Sequence, residues 1–156
     1  MKKKRIYLDT SVPSAYFDDR WPDRQDLTRK FWKRLNEYDV FVSVVTYEEI
    51  GRMKDRLPEK ESSLLRLIDG ILVLPTTPEA ERLADQYLGH GIIPASQIED
   101  ALHLAIATLS AVDYLISWNF KHLVNVKTRE KANALNALLG HPTMGIITPP
   151  ELAGEE

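Results

Sequence analysis

The chain has 156 residues, 44% hydrophobic and 28% charged, with no cysteine. That is the size and composition of one globular domain, and it excludes disulfides, zinc thiolate sites and cysteine nucleophiles. The 20 basic and 23 acidic residues leave a net charge of −3, so the broad basic footprint of a DNA-coating protein is absent and any nucleic-acid contact must come through a local patch or a metal.

In chain order, Met1-Lys2-Lys3-Lys4-Arg5 is basic like the start of a signal peptide, but Asp9 cuts short the apolar stretch behind it. With no apolar run approaching the roughly 20 residues of a membrane span, the expectation is a cytoplasmic protein with no membrane partner. Ile6-Tyr7-Leu8 reads as a buried strand that runs into a turn at Asp9-Thr10-Ser11. Residues 13–25, with Pro13, Asp18, Asp19, Pro22 and Asp23, read as a loop or a broken first helix. Leu27, Phe31 and Leu35 recur every four residues and predict a helix over 26–37. Val40 to Val45 is nearly continuous and β-branched, a strand buried on both faces. Thr46 then caps a helix, with Glu49 at capping-box spacing in its first turn. Pro58-Glu59 opens another helix, which Gly70 ends, and Ile71 to Leu74 is a third strand.

Thr77-Pro78-Glu79 starts a helix whose Ala80, Leu83, Ala84, Tyr87 and Leu88 form one apolar stripe. Ser96 opens a helix running to Leu109, Tyr114-Leu115-Ile116 is a fourth strand, Thr128 to Leu139 a further helix, and Ile146-Ile147 a short last strand. Apolar strands alternating with helices define a three-layer α/β/α domain with a central parallel sheet of four to five strands. It spans residues 1–150, leaving 151–156 as a short C-terminal tail. No glycine-rich dinucleotide or P-loop sequence follows any strand.

Polar residues interrupt these elements at particular places. Asp9 ends the first strand, Glu49 follows the second, Asp100 lies in the first turn of the Ser96 helix, and Asn119 follows the fourth strand. In an open parallel sheet, ligands bind beyond the carboxyl ends of the strands, where these residues converge. Taken singly, Asp9 also reads as a turn residue, Glu49 as half of a capping box beside an equally eligible Glu48, Asp100 as a helix-dipole partner and Asn119 as a turn. Taken together, three carboxylates in one crevice call for a hard cation such as Mg²⁺. The chemistry that follows is metal-assisted hydrolysis of a phosphodiester.

The segments Ile6-Tyr7-Leu8-Asp9-Thr10-Ser11, Ser43 to Ile50, Asp100 to Ala107 and Leu115 to Phe120 resemble, in order and spacing, the four motifs of the PIN domain. This is the nuclease module of VapC-like toxins in type II toxin–antitoxin systems. The resemblance runs from about residue 5 to 148. It implies a Mg²⁺- or Mn²⁺-dependent endoribonuclease acting on RNA, commonly a homodimer held inactive by an antitoxin. It puts the metal-binding acids on Asp9, Glu49 and Asp100, Asn119 in the catalytic set, and supporting hydroxyls on Thr10 and Ser117. The chain departs from the pattern at the fourth motif, where many relatives carry an acid at the place of Asn119 or of His122.

Of the four histidines, His122 is the strongest functional candidate, by its place beside that motif. His103 lies one turn after Asp100 on the same helix face, and reads as a satisfied helix histidine or a partner of the acids. Lys121 is positioned to meet substrate phosphate, and Trp118 either packs or stacks on a base. Trp21, Trp32, Phe17 and Phe31 form either an apolar patch for a partner or part of the core. Two other functions remain: a catalytically silent PIN-like module that binds RNA or protein, for which Asn119 is the support, and a haloacid-dehalogenase-like phosphatase. The latter expects a second acid two residues after Asp9, where Ser11 stands.

Overall fold

A computed structural model describes residues 2–153. Five parallel strands form the central sheet: β1 (Arg5–Leu8), β2 (Asp39–Ser43), β3 (Leu72–Leu74), β4 (Tyr114–Ile116) and β5 (Gly145–Ile147), in the order β3-β2-β1-β4-β5. The helices are α1 (Ser11–Tyr16), α2 (Pro22–Trp32), α3 (Val44–Gly51), α4 (Pro58–Ile68), α5 (Pro78–Gly89), α6 (Ile98–Leu109), α7 (Val126–Leu138) and α8 (Pro149–Ala153). No helix among the described residues is long and apolar enough to cross a membrane.

The strands' two-residue period divides the interior into two cores. On one face Tyr7, Phe41, Leu115 and Ile146 pack with Leu83, Tyr87, Leu104 and Ala105 of α5 and α6. On the other Ile6, Leu8, Val42 and Ile116 pack with Val12, Phe31 and Leu152 of α1, α2 and α8. A three-layer α/β/α domain results, as the alternation of strands and helices predicts. The chain steps outward from β1 through β2 to β3, then returns to the other side of β1 with β4. That reversal leaves a crevice beyond the carboxyl ends of β1 and β4.

Several local expectations are corrected. Of the two readings of residues 13–25, the broken helix is the one observed: α1 covers Ser11–Tyr16, and α2 starts at Pro22 because proline suits the first helical turn. It stops at Trp32, and Leu35–Glu37 make a separate 3-10 turn. β2 ends at Ser43, whose side chain accepts from the Val45 N–H and caps α3; Thr46 is not the cap, so Glu49 is the sixth helical residue rather than a first-turn one. The helix expected from Ser96 starts at Ile98, and the one expected from Thr128 starts at Val126, capped by Asn125. The third strand narrows to Leu72–Leu74 and lies at the sheet edge, with Leu72 57% exposed. Near the end of the described residues, Pro149–Ala153 form α8, in which Leu152 is buried.

Candidate active site

Strand β1 delivers Asp9 to the crevice. The Asp9 N–H donates to the Ile116 carbonyl of β4, tying the residue to the switch point. Its carboxylate is buried and every donor it meets is neutral. Oδ1 accepts from the Ser11 N–H at 3.1 Å and from the Ser11 hydroxyl, and Oδ2 accepts from the Ser117 hydroxyl at 2.7 Å. Burial pushes its pKa up to about 6; His103 and the two serines lower it, and Asp100 adds to the rise. Neutral donors offset part of the desolvation of a carboxylate but bring no opposite charge.

Glu49 reaches the same pocket from α3. Its Oε1 accepts from the Thr10 hydroxyl at 2.8 Å and lies 2.6 Å from His103 Nε2. Burial opposes its ionisation, but hydrogen bonding and charge from His103, with the Thr10 bond, hold the carboxyl below its usual range. His103 is buried on α6; burial lowers its pKa, yet the Glu49 bond and the charges of Asp9, Glu49 and Asp100 outweigh it and the pKa is raised. Behind it, His103 Nδ1 lies 2.6 Å from the Tyr7 hydroxyl, which donates to Ser43 Oγ at 2.8 Å. With that hydroxyl proton directed to Ser43, both ring nitrogens of His103 act as donors, the imidazolium arrangement. The support of Glu49 thus runs through a chain of buried groups back to the cap of its own helix.

Asp100, in the first turn of α6, is met by the fourth motif. Its Oδ2 accepts from Asn119 Nδ2 at 3.2 Å and lies 2.9 Å from His122 Nδ1. Asn119 Oδ1 accepts the His122 N–H at 2.9 Å, so the amide presents its donor, not its oxygen, to the acid. A flipped amide would turn its oxygen toward the carboxylate and lose both bonds.

One open pocket is lined by Asp9, Thr10, Glu49, Asp100, His103 and Asn119 together with Ser11, Ser14, Arg52 and Met53. Ser117 stands behind Asp9, and His122 joins through Asp100. Glu48 and Lys121 are exposed and make no side-chain hydrogen bond or ion pair among the described residues. Asp113 lies at the opposite end of the sheet, where its carboxylate accepts the Arg5 N–H. Trp118 packs inward, its Nε1–H donating to Thr28, and Phe31 is core; Phe17 and Trp32 are half-buried, so of the expected patch only Trp21 is exposed. Sequence reasoning missed Ser11, whose position two residues after Asp9 is the spacing of an Asx turn. It ranked His103 too low, although its i+3 relation to Asp100 was visible.

Among the described residues no three His, Asp or Glu side chains form a preassembled metal cluster. The donor chemistry nevertheless fits a hard cation. Asp9 is a buried carboxylate with no cationic side chain bonded to it, its proton affinity is raised partly by Asp100 in the same pocket, and all-oxygen donors suit Mg²⁺ or Mn²⁺.

The fold and this crevice place the chain among three-layer α/β proteins with an acidic site at the sheet's switch point. The PIN domain family matches residues 6–119, and the chain belongs to that family. Solved structures share the fold. Mycobacterium tuberculosis VapC20, described as a Sarcin-Ricin loop cleaving toxin, aligns at 16% identity over 75% of this chain and 92% of its own, with a TM-score of 0.57. FitAB bound to a DNA fragment aligns at 17% identity over 92% of this chain and 94% of its own, with a TM-score of 0.56. Rickettsia felis VapBC2 bound to a promoter DNA fragment aligns at 16% identity over 92% and 98%, with a TM-score of 0.53. A search of curated protein sequences gives no match. Family membership sets the phosphatase reading aside.

Proposed function

We propose that the protein is a Mg²⁺- or Mn²⁺-dependent endoribonuclease and the toxin of a type II toxin–antitoxin pair. The observation that carries this reading is the meeting of Asp9, Glu49 and Asp100 in one pocket of a PIN domain. The likeness to VapC20, a toxin that cleaves the Sarcin-Ricin loop, supports RNA as substrate, and the likeness to the two-component FitAB and VapBC2 assemblies supports a protein partner, the antitoxin. The exposed apolar edge at Leu72 of β3 is compatible with a homodimer.

Asp9 and Asp100 would hold the cation, with Glu49 completing the acidic set. When bound, the ion activates a water and offsets charge on the phosphodiester. Glu49 Oε1 is committed to His103 and Thr10, whereas Oε2 has no protein partner among the described residues and is placed to accept a proton from the attacking water. Ser11 and Ser117 fix the Asp9 carboxylate, Asn119 and His122 fix that of Asp100, and Lys121 is the candidate phosphate contact. A catalytically silent module is the second reading, favoured by the commitment of Asn119 Oδ1 to a backbone N–H where a relative would offer a fourth acid.

The test is cleavage of mixed RNA with Mn²⁺, Mg²⁺ or EDTA, wild type beside Asp9→Asn. Metal-dependent cleavage that disappears in the variant supports the nuclease. Cleavage that survives EDTA, or none by folded wild type, overturns it; the latter result favours the silent module.

A further inference from the structure

The fourth motif carries aromatic rings on both sides of Asn119, and they meet a cation from α2. Arg24 is half-buried, and its guanidinium lies 5.2 Å from the ring centre of Trp21, 5.2 Å from Trp118 and 5.6 Å from Phe120. Trp118 and Phe120 are tilted against each other with centres 6.2 Å apart. The cluster is anchored from beneath: Trp118 Nε1–H donates to Thr28 Oγ1, which itself donates to the Arg24 carbonyl one helical turn back. Arg24 makes no ion pair among the described residues, so aromatic faces rather than a carboxylate meet its charge. Trp21 is 55% and Phe120 49% exposed, and they open onto a shallow depression of about 310 Å³.

Rings of this size left half in water beside a bound guanidinium are more than core packing requires, since Trp118 already fills the interior position. We propose that Trp21, Arg24 and Phe120 form a stacking site for an unpaired RNA base flanking the phosphodiester at the acidic pocket. The inference rests on the nuclease reading for the identity of the strand. Two features favour a nucleobase over an apolar protein segment. First, the patch and the candidate active site are built from consecutive residues of the fourth motif, Asn119 lining the acidic pocket and its chain neighbours Trp118 and Phe120 lining the depression. Second, the pocket repels the backbone it must hold, through Asp9, Glu49 and Asp100, so a polyanion needs a foothold beside it. A guanidinium among ring faces supplies one, through base stacking and through its positive charge. With a single positive charge at the site, stacking carries most of the contact and its dependence on salt is shallow.

The test uses Asp9→Asn protein, which binds without cutting, and 5′-labelled single-stranded oligoadenylate and oligouridylate, read by fluorescence anisotropy. An abasic ribose-phosphate oligomer of equal length serves as the control. Trp21→Ala and Phe120→Ala are each expected to weaken binding of the base-bearing oligomers by roughly 5- to 100-fold, as loss of one stacked base implies. Phe120→Leu should fail to restore it, and abasic binding should be weak and unchanged by these variants. Both side chains are half-exposed, so unfolding does not confound the comparison, and the thermal midpoint checks it. Equal binding by the variants, or equal binding of abasic and base-bearing oligomers, overturns the proposal and leaves the patch to a protein partner. Because the readout is binding by an inactivated protein, it is independent of whether wild type cleaves RNA with metal.

Discussion

Asp9 and Glu49 share one pocket, the first buried and the second half-buried, and their environments drive their acidities in opposite directions. Asp9 is held by two serine hydroxyls and one amide, and burial raises its pKa to about 6. Glu49 is held by one threonine hydroxyl and a buried imidazole, and it falls below the usual range. The difference lies in burial and in direct bonding. Asp9 is the more deeply buried; the charge of His103 lowers both acids, but the imidazole hydrogen-bonds only Glu49, and neutral donors orient Asp9 without fully replacing what it lost on burial. Asp9 is therefore the less compensated acid, and Glu49 the one bonded directly to a counter-ion.

The largest expected effect follows from this division. Asp9→Asn should lower metal-dependent RNA cleavage by about three orders of magnitude or more, since the several kcal/mol supplied by a bound ion depend on it. Glu49→Gln should reduce turnover by roughly 10²- to 10⁴-fold while leaving metal affinity, measured by calorimetry, closer to that of wild type. If the two variants instead lose metal binding equally, the distinction between the two acids is wrong.

Next in size is removal of the counter-ion. His103→Ala leaves Glu49 partly buried without a cationic partner, and the Tyr7 hydroxyl without one of its partners. A destabilisation of about 2–4 kcal/mol is expected by urea denaturation in EDTA. Adding Mg²⁺ should recover part of it if the ion supplies the missing charge. No recovery would mean that the imidazole acts by packing alone.

The complementary change stabilises. Asp9 binds its proton more tightly folded than unfolded, with a pKa of about 6 against an ordinary 3.8. The stability of the metal-free protein that belongs to protonated Asp9 is complete below about pH 4 and is lost as pH rises through 6. Asp9→Asn, which cannot ionise, should then raise stability by about 1–3 kcal/mol at pH 7.5 in EDTA and by almost nothing at pH 4. A thermal midpoint that shifts equally at both pH values would remove burial of charge as the cause.

How far the sequence discloses this comparison differs between the two acids. Asp9 was legible because it interrupts an apolar strand at the edge where parallel sheets bind ligands, and β1 is where the apolar run put it. Glu49 was legible as a position but misread in its setting. Helix periodicity cannot decide whether Ser43 or Thr46 is the cap, and that choice moves Glu49 from the first turn into the body of α3. The hydrogen bonds of Asn119 were not legible, since the roles of its two amide atoms depend on Asp100, 19 positions away. Arg24 and Trp118 are farther apart still, and no local pattern joins a residue of the second helix to a loop after the fourth strand. The exposure of β3 was not legible either, since an apolar run does not show whether its strand is central or at the edge until the strand order is known.

The smallest effect probes how deep each support extends. Asp9's support passes through Ser11 and Ser117 to the backbone N–H groups of Trp118 and Asn119, while that of Glu49 continues through side chains, from His103 to Tyr7 and Ser43. Tyr7→Phe removes only a hydroxyl, two steps from the acid, and leaves the ring in the core. The His103 Nδ1–H then has no acceptor, which costs about 1–2 kcal/mol of stability. The imidazole still faces Glu49 through Nε2, so cleavage should change by no more than a few-fold if the second step serves stability. A loss approaching that of Glu49→Gln would instead make the whole buried chain, from Ser43 to Glu49, one unit that sets the position of the water-facing oxygen. That result would make the two acids differ not only in charge but in how much of the fold each one requires.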